Sequence, residues 1–430
     1  DVSQAACQRE ESSSCRRTSL MIKLILRKGR EESLRRFHPW VFSGAVAEIQ
    51  GRPAEGDIVA VHASDGTLLA YGHYQIGSIA VRVLSFDDAA LRPDFFEQRI
   101  AAALAMRRTV GLAGAAGSAV AEEHAGPAGV TNCYRLVHGE GDNLPGLIID
   151  YYDGVCVMQA HSVGMFRSKN RICEALKAVY GPTLKAVYDK SSGTAPFKAG
   201  LDLVDGYLYR ADSFNDDEQI VSENGHRFYV NWTSGQKTGF FLDQRENRAL
   251  VGRYAAGRNV LNLFCYTGGF SIYALAAGAL HVDSVDCSGK AMSMVDRNVV
   301  LNGFDPSRHT SYCEDAIDFV KKSPDGKYDL IVVDPPAFAK HRGVLRNALR
   351  AYQRLNAAAI AKVAPGGLVF TYSCSQVVDK EAFALAVFSA AASVGRRVRI
   401  LDRLNQPADH AVNIYHPEGE YLKGLLLYVE

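Results

Sequence analysis

From Asn259 to about Tyr372 the chain repeats one pattern: a short apolar run, a loop of small or acidic residues, then a helical stretch. The runs 259–264, 281–286, 330–333 and 368–372 read as strands, and 270–277, 289–302, 316–321 and 348–363 read as helices. Strands alternating with helices make βαβ units, whose right-handed crossovers build a parallel sheet covered on both faces. This part of the chain is therefore α/β.

In an open parallel sheet, ligands bind beyond the carboxyl ends of the strands, so the residues there carry the most information. The first strand runs into Cys265-Tyr266-Thr267-Gly268-Gly269-Phe270, where paired glycines let the backbone approach a ligand closely. The second ends at Asp286, 18 residues beyond Gly268, a position suited to ribose hydroxyls. Asp315-Ala316 follows a shorter strand, Asp334-Pro335-Pro336-Ala337-Phe338 the next, and Ser373-Cys374-Ser375 the last. Alone, each piece is weak, since an Asp at a helix start is more often a cap than a ligand. Their order at successive strand ends fits a nucleoside-cofactor site. The dinucleotide fingerprint G-x-G-x-x-G is missing, and no Gly-Lys-Ser/Thr of a P-loop follows. S-adenosylmethionine (SAM) is the remaining common ligand for this layout.

The rest of the chain has other textures. Between Met21 and Leu91, short strand-like runs at 22–26, 57–63, 68–73 and 79–84 are separated by Gly-Asp, Asp-Gly and Gly-Ser turns, which predicts a small β-barrel or sandwich. A basic segment with Lys23, Arg27, Lys28, Arg30, Arg35 and Arg36 precedes His38-Pro39-Trp40. Cations beside an aromatic ring can hold phosphates and stack a base; the same residues equally describe a solvated helix with Trp40 in the core. Residues 93–112 read as a helix, 113–129 as an Ala/Gly-rich linker, 134–137, 147–150 and 155–159 as strands, and 166–179 as a helix. The middle segment is a mixed α/β domain without a catalytic constellation. The expected domains are 21–92, 93–215 and 216–430. Residues 1–20, rich in Ser, Arg and Glu, are expected to be an extension before a natural start at Met21.

Basic and acidic side chains number 48 and 47, which argues against a disordered tail or a wholly basic nucleic-acid coat, while leaving room for a local basic patch. Nine cysteines without a CxxC pair give neither a disulfide framework nor zinc-ligand spacing, so reduced thiols in a cytoplasm and no metal are expected. The longest uncharged stretch, 259–282, is long enough to span a bilayer, but its Asn, Tyr, Thr and Gly residues fit a strand, turn and helix better, so no membrane is expected.

Longer strings resemble a known family, the RlmI-type class I SAM-dependent methyltransferases, which make 5-methylcytosine in 23S ribosomal RNA. The resemblance covers nearly all of 21–430. His38-Pro39-Trp40-Val41-Phe42-Ser43-Gly44 and Gly72-His73-Tyr74 resemble the family's N-terminal PUA domain, an RNA-binding barrel. Tyr134 to Asp142 and Leu144-Pro145-Gly146-Leu147 resemble its middle domain. Thr238-Gly239-Phe240-Phe241-Leu242-Asp243-Gln244-Arg245, Tyr415-His416-Pro417 and Glu420-Tyr421-Leu422-Lys423-Gly424 resemble its catalytic domain, a Rossmann-like fold with a mostly parallel seven-stranded sheet.

The resemblance implies that Asn262 to Gly269 form the first SAM loop, with Thr267 and Gly268 near the amino-acid portion. It gives Asp286 the ribose, Cys287 a place beside the adenine, and Asp315 with Ala316 the adenine edge. Gln244 and Arg245 would fix the methionine carboxylate. Cys374 matches the family's nucleophile, and Asp334 is the candidate to protonate or hydrogen-bond cytosine N3. The candidate RNA contacts, read from the basic segment and its aromatic, are Arg35, Arg36, His38 and Trp40. Homodimerisation is compatible with the family, and no segment demonstrates it. Pro336 stands where many RNA cytosine-5 enzymes carry a second cysteine used in product release.

Two other readings compete. Asp-Pro-Pro followed by an aromatic also occurs in enzymes that methylate base nitrogens; there the aromatic stacks on the base, a role for Phe338 displaced by one residue. A catalytically inactive RNA-binding assembly factor would retain the fold but not the chemistry.

Overall fold

The structure, a computed structural model, describes residues 21–114, 130–196, 199–339 and 341–430. The expectation for residues 1–20, and most of that for the linker at 113–129, lie outside the described residues. The chain divides into two compact units. One contains 21–107, 135–215 and 411–417; the other contains 216–410 and 418–430, with the described residues of 108–134. The border expected near residue 92 falls inside the first unit. Side chains tie the segments on either side of it together: Arg82 Nη1 and Trp40 Nε1 both donate to Glu140 Oε1 at 2.8 Å, and Gly164 packs so closely on His73 that a Cβ there would lie 2.2 Å from the ring.

In the first unit, six strands (Lys23–Leu26, Trp40–Phe42, Val46–Gln50, Ile58–His62, Leu68–Tyr74 and Ile79–Ser85) form one sheet around Leu24, Leu26, Val41, Val59, Val61, Val81 and Val83. The strands at 40–42 and 46–50 escape the sequence reading because they are short and only partly buried. A second, five-stranded sheet includes Leu147–Tyr152, Val155–Ala160, Ala186–Asp189 and Gly206–Arg210. The single helix expected at 166–179 is two, Val163–Arg167 and Lys169–Tyr180, the first capped by Ser162 Oγ accepting from the Met165 amide.

In the second unit a hairpin, Glu218–Glu223 with His226–Asn231, precedes helix α1 (Arg245–Ala255). Seven strands follow: β1 (Asn259–Leu263), β2 (His281–Asp286), β3 (His309–Cys313), β4 (Tyr328–Val333), β5 (Val363–Ser373), β6 (Val398–Asn405) and β7 (Lys423–Val429). Between them lie α2 (Gly269–Ala276), α3 (Gly289–Leu301), α4 (Ala316–Lys322), α5 (Leu345–Lys362) and α6 (Lys380–Val394). Across the sheet the order is β3-β2-β1-β4-β5-β7-β6, parallel except for β7, which runs antiparallel to both β5 and β6. Buried Leu261, Leu263, Val285, Ile331, Val333, Val369 and Leu425 explain the apolar runs: a central strand has no solvent face, so its side chains need not alternate. The order reverses between β1 and β4, and a crevice opens at their carboxyl ends. Among the described residues no helix is long and apolar enough to cross a membrane, and the described cysteines are free thiols.

Candidate active site

The crevice holds a cavity of about 260 Å³ lined from every strand end singled out in the sequence. Thr267 and Gly269 come from the loop after β1, Asp286 and Cys287 from the end of β2, Asp315 and Ala316 from the start of α4, and Asp334 and Cys374 from the ends of β4 and β5.

The loop after β1 is tightly wound. Phe264 and Tyr266 have φ of +57° and +48°, and Gly268 has +80°, conformations that side chains other than glycine's disfavour. Gly268 does not line the cavity; it caps α2 in the space under Val295, whose Cγ1 would lie 2.8 Å from an added Cβ. Asn262 is likewise structural, buried with its Nδ2 donating to Ser271 Oγ at 2.8 Å. Asp286 fixes the loop from β2: its Oδ2 accepts from the Tyr266 amide at 3.1 Å and its Oδ1 from the Ser288 amide at 3.0 Å. Each carboxylate oxygen keeps a second lone pair for a ligand hydroxyl. Asp315 both caps and lines. Its Oδ1 accepts from the Ile317 and Asp318 amides at 2.9 and 3.0 Å, so the cap role weighed from the sequence is real and coexists with a place on the cavity wall.

Arg245 requires a correction. Its guanidinium is buried away from the cavity and donates to Asp409 Oδ1 at 2.6 Å. One turn further along α1, Arg248 lines the cavity instead, held by a bidentate pair with buried Glu223 at 2.8 and 2.7 Å and by the Phe241 carbonyl at 2.9 Å. Gln244 does reach the cavity and is oriented by Asn247, whose Nδ2 donates to its Oε1 at 2.6 Å. Gln244 also hydrogen-bonds Asp334.

Around Cys374 the structure is stiff. Ser373 Oγ donates to Tyr352 Oη at 2.9 Å, Tyr352 Oη and Ser375 Oγ lie 3.1 Å apart, and the Ala339 amide donates to Ser375 Oγ at 3.3 Å. The residues on both sides of the thiol are thereby locked to α5 and to the loop after β4. Lys423, at the start of β7 and opposite Ser373 in register, donates from Nζ to the Ser375 carbonyl at 2.7 Å. Phe338 does not line the cavity; its ring packs on Tyr352 at 4.8 Å.

The charges in this corner shift one another. Burial, reinforced by the negative charge of Asp243, pushes the Asp334 carboxyl up to about 7, while Gln244 and Arg248 hold it lower than burial alone would. Burial, with Asp334 and Asp243 nearby, pushes the Cys374 thiol up to about 12, against the pull of Lys423. Burial lowers the Lys423 ammonium to about 8. Ionisable groups displaced in this way cluster at one strand-end corner of the cavity, a pattern common at catalytic sites.

Asp243 and Arg248 on the cavity wall, and Lys423 behind Cys374, are the residues that the sequence reading passed over. Asp243 and Lys423 stand inside the strings Thr238–Arg245 and Glu420–Gly424, which were the available signal. The expected RNA contacts lie in the first unit. Arg35 and Arg36 are exposed on and after a short helix, Glu32–Arg35, with Arg36 paired to Glu32 at 2.9 Å. His38 and Trp40 are half-buried, and the Trp40 ring already meets the Arg82 guanidinium at 5.2 Å and the His416 ring at 4.2 Å.

The family model for S-adenosylmethionine-dependent methyltransferases matches residues 134–418, and that for PUA-like domains matches 24–86. A relative from Shewanella amazonensis, "Ribosomal RNA large subunit methyltransferase I", is 39% identical over 412 residues, 95% of this chain and 99% of that protein. A protein of the same name from Pseudoalteromonas translucida is 39% identical over 415 residues, covering 94% and 98%. The chain belongs to this methyltransferase family. Two solved structures, each 24% identical and covering 95% of this chain and 100% of their own, share the fold with TM-scores of 0.77 and 0.78. The first is described as a SAM-dependent methyltransferase from Streptococcus mutans, the second as a methyltransferase complexed with SAH.

The cofactor of this family of enzymes is SAM, and the cavity suits it. Asp286 offers oxygens to a pair of hydroxyls, Asp315 with Ala316 forms an edge able to meet an adenine, and Gln244 with Arg248 supplies polar groups for an amino-acid end. Gly269 leaves room at the loop, since a Cβ there would lie 2.8 Å from Arg248 Cδ. Bound in this cavity, SAM supplies an electrophilic methyl group carried on a sulfonium.

Proposed function

We propose that the protein methylates carbon 5 of a cytosine in 23S ribosomal RNA through a covalent bond between Cys374 and carbon 6 of the base. The observation that carries this reading is the convergence of Cys374 and Asp334, at the ends of adjacent strands, on the wall of the cofactor cavity. Carbon 5 of cytosine is a poor nucleophile while the ring is aromatic. Addition of the Cys374 thiolate to carbon 6 shifts the ring's electrons to carbon 5, and a proton delivered to N3 keeps the ring from accumulating negative charge. Asp334, held near 7, carries that proton over a useful part of the physiological range. Methylation of carbon 5 is followed by loss of its proton; the freed electron pair restores the C5–C6 double bond and expels the thiolate, and N3 gives its proton back to the Asp334 carboxylate.

The resting thiol, pushed up to about 12, is kept protonated until attack. The Lys423 ammonium is positioned to favour the thiolate as it forms, and the Tyr352–Ser373–Ser375 network fixes its direction. Phe338 supports this chemistry over methylation of a base nitrogen, because its ring is committed to Tyr352. The target base has to leave its stack to reach the cavity, and the exposed cations of the PUA-like unit are suited to hold the surrounding backbone. The reading places the enzyme in the cytoplasm with the ribosomal RNA.

The test is methyl transfer from labelled SAM to unmodified 23S rRNA, followed by nucleoside mass spectrometry. Formation of 5-methylcytidine by the wild type and its loss in Cys374→Ala support the reading. A methylated base nitrogen that survives the substitution overturns it.

A further inference from the structure

Helix α5 carries a feature that the methyl-transfer chemistry does not use. Its eighteen residues, Leu345–Lys362, contain no acidic side chain. Arg346, Arg350 and Arg354 stand four residues apart on it, and all three are exposed. Among the described residues none of their side chains forms a hydrogen bond or an ion pair, unlike that of Lys362 at the end of the same helix, which pairs with Asp325 at 2.7 Å. Residues four apart share a helix face, and like charges so placed repel each other. A row of this kind weakens the helix unless something outside the unit neutralises it.

Two of these arginines, Arg350 and Arg354, also border a groove. A cavity of about 370 Å³ beside the helix is lined by Asn347, Arg350, Gln353, Arg354, Ala357 and Ser393. Four of those six residues carry amide or guanidinium N–H donors, Ser393 adds a hydroxyl, and none is a carboxylate. Such a lining suits an anion. The row climbs by about 6 Å per step at 1.5 Å per residue, a spacing comparable to that of successive phosphates along a nucleic-acid strand. Its direction fits too: α5 leaves the loop after Asp334 and returns antiparallel to β4, so Arg346 lies nearest the cavity end of the helix and Arg354 furthest from it.

We propose that Arg346, Arg350 and Arg354 form a phosphate-binding track on the catalytic unit that holds the RNA backbone flanking the target nucleotide. The inference rests on the proposed RNA methyl transfer for the identity of its ligand. The track anchors the strand on the catalytic unit itself, independently of contacts made by the PUA-like unit. It recognises backbone rather than sequence, because a guanidinium that meets phosphate oxygens reads no base.

The experiment compares the wild-type full chain with Arg346→Ala/Arg350→Ala/Arg354→Ala for affinity to a 23S rRNA transcript across a salt series. SAM affinity measured by calorimetry serves as the check on folding. Alanine is a better helix former than arginine and the positions are exposed, so the variant keeps its fold. The expected result is an RNA affinity at least tenfold weaker at physiological salt, with SAM affinity unchanged. The salt slope should be shallower by about 2, since each phosphate of a single strand that is no longer neutralised removes about 0.7. Arg346→Lys/Arg350→Lys/Arg354→Lys should restore most of the slope. RNA affinity within twofold of wild type and an unchanged slope overturn the track. Failure of the wild type to form 5-methylcytidine instead overturns the reading of the reaction, and the binding comparison still decides the fate of the track.

Discussion

Asp334 gives the sharpest test of the site's electrostatics. Its carboxyl, ordinarily near 3.8, is raised to about 7 by burial and by Asp243. Between those values the folded protein binds a proton that the unfolded chain does not. Stability contributed by this group is therefore full below pH 3.8 and lost progressively as pH rises to about 7. At about 1.4 kcal/mol per pH unit the loss reaches on the order of 4 kcal/mol, a ceiling because the residue borders a solvent-accessible cavity. Asp334→Asn keeps the shape and removes the titration. The stability of the variant relative to wild type should thus rise with pH between 4 and 7 by a few kcal/mol and level off above. The chain has two tryptophans, Trp40 in the first unit and fully buried Trp232 in the second. In a Trp40→Phe background, fluorescence of Trp232 during urea unfolding follows the catalytic unit alone. A stability difference that does not change with pH would refute the claim that burial and Asp243 hold the proton on. The same displacement predicts that methyl transfer declines as pH rises through 7, and that Asp334→Asn, which cannot pass a proton, loses activity by 10²-fold or more.

Three further outcomes are expected. Gly268→Ala combines a φ of +80° with a Cβ 2.8 Å from Val295 Cγ1, so it should destabilise the catalytic unit by about 1–3 kcal/mol and weaken SAM binding; full SAM affinity by calorimetry would contradict the role given to this turn. Lys423→Met removes the cation near Cys374 and should slow iodoacetamide alkylation of Cys374 at pH 8, followed by peptide mass spectrometry against exposed Cys287 as an internal standard; an equal or faster rate would remove Lys423 from the chemistry. Charge reversal at Arg35 and Arg36 should weaken RNA binding and leave SAM affinity unchanged, whereas equal loss of both would refute the division of labour between the units.

The α/β character was legible because central parallel strands are buried on both sides and appear in sequence as unbroken apolar runs. β1, β2, β4 and β5 have that signature, and reading the residues beyond them leads directly to the cavity wall. β6 could not be found this way. It is an edge strand, and Arg399, Asp402 and Arg403 interrupt any alternation along it. Arg245 and Arg248 mark another boundary: both lie on the buried side of α1, and only the tertiary positions of Asp409 and Glu223 decide which guanidinium reaches the ligand cavity. Lys423 was illegible as a participant because its proximity to Cys374 comes from strand register between segments about fifty residues apart. The joining of the first two expected domains into one compact unit depends on single contacts, such as Glu140 with Trp40 and Arg82, that no local pattern announces.

The position of β7 bears on how the enzyme comes into being. Because β7 lies between β5 and β6, the edge strand has no partner until Lys423–Val429 has emerged from the ribosome and inserted. Until then the flank of β5 is an unpaired strand edge open to wrong partners, and a hazard for aggregation. The same event delivers Lys423 to the Ser375 carbonyl. Closure of the sheet and completion of the catalytic corner are therefore one step in biogenesis, so a nascent chain still lacking β7 carries Cys374 without the cation that tunes it.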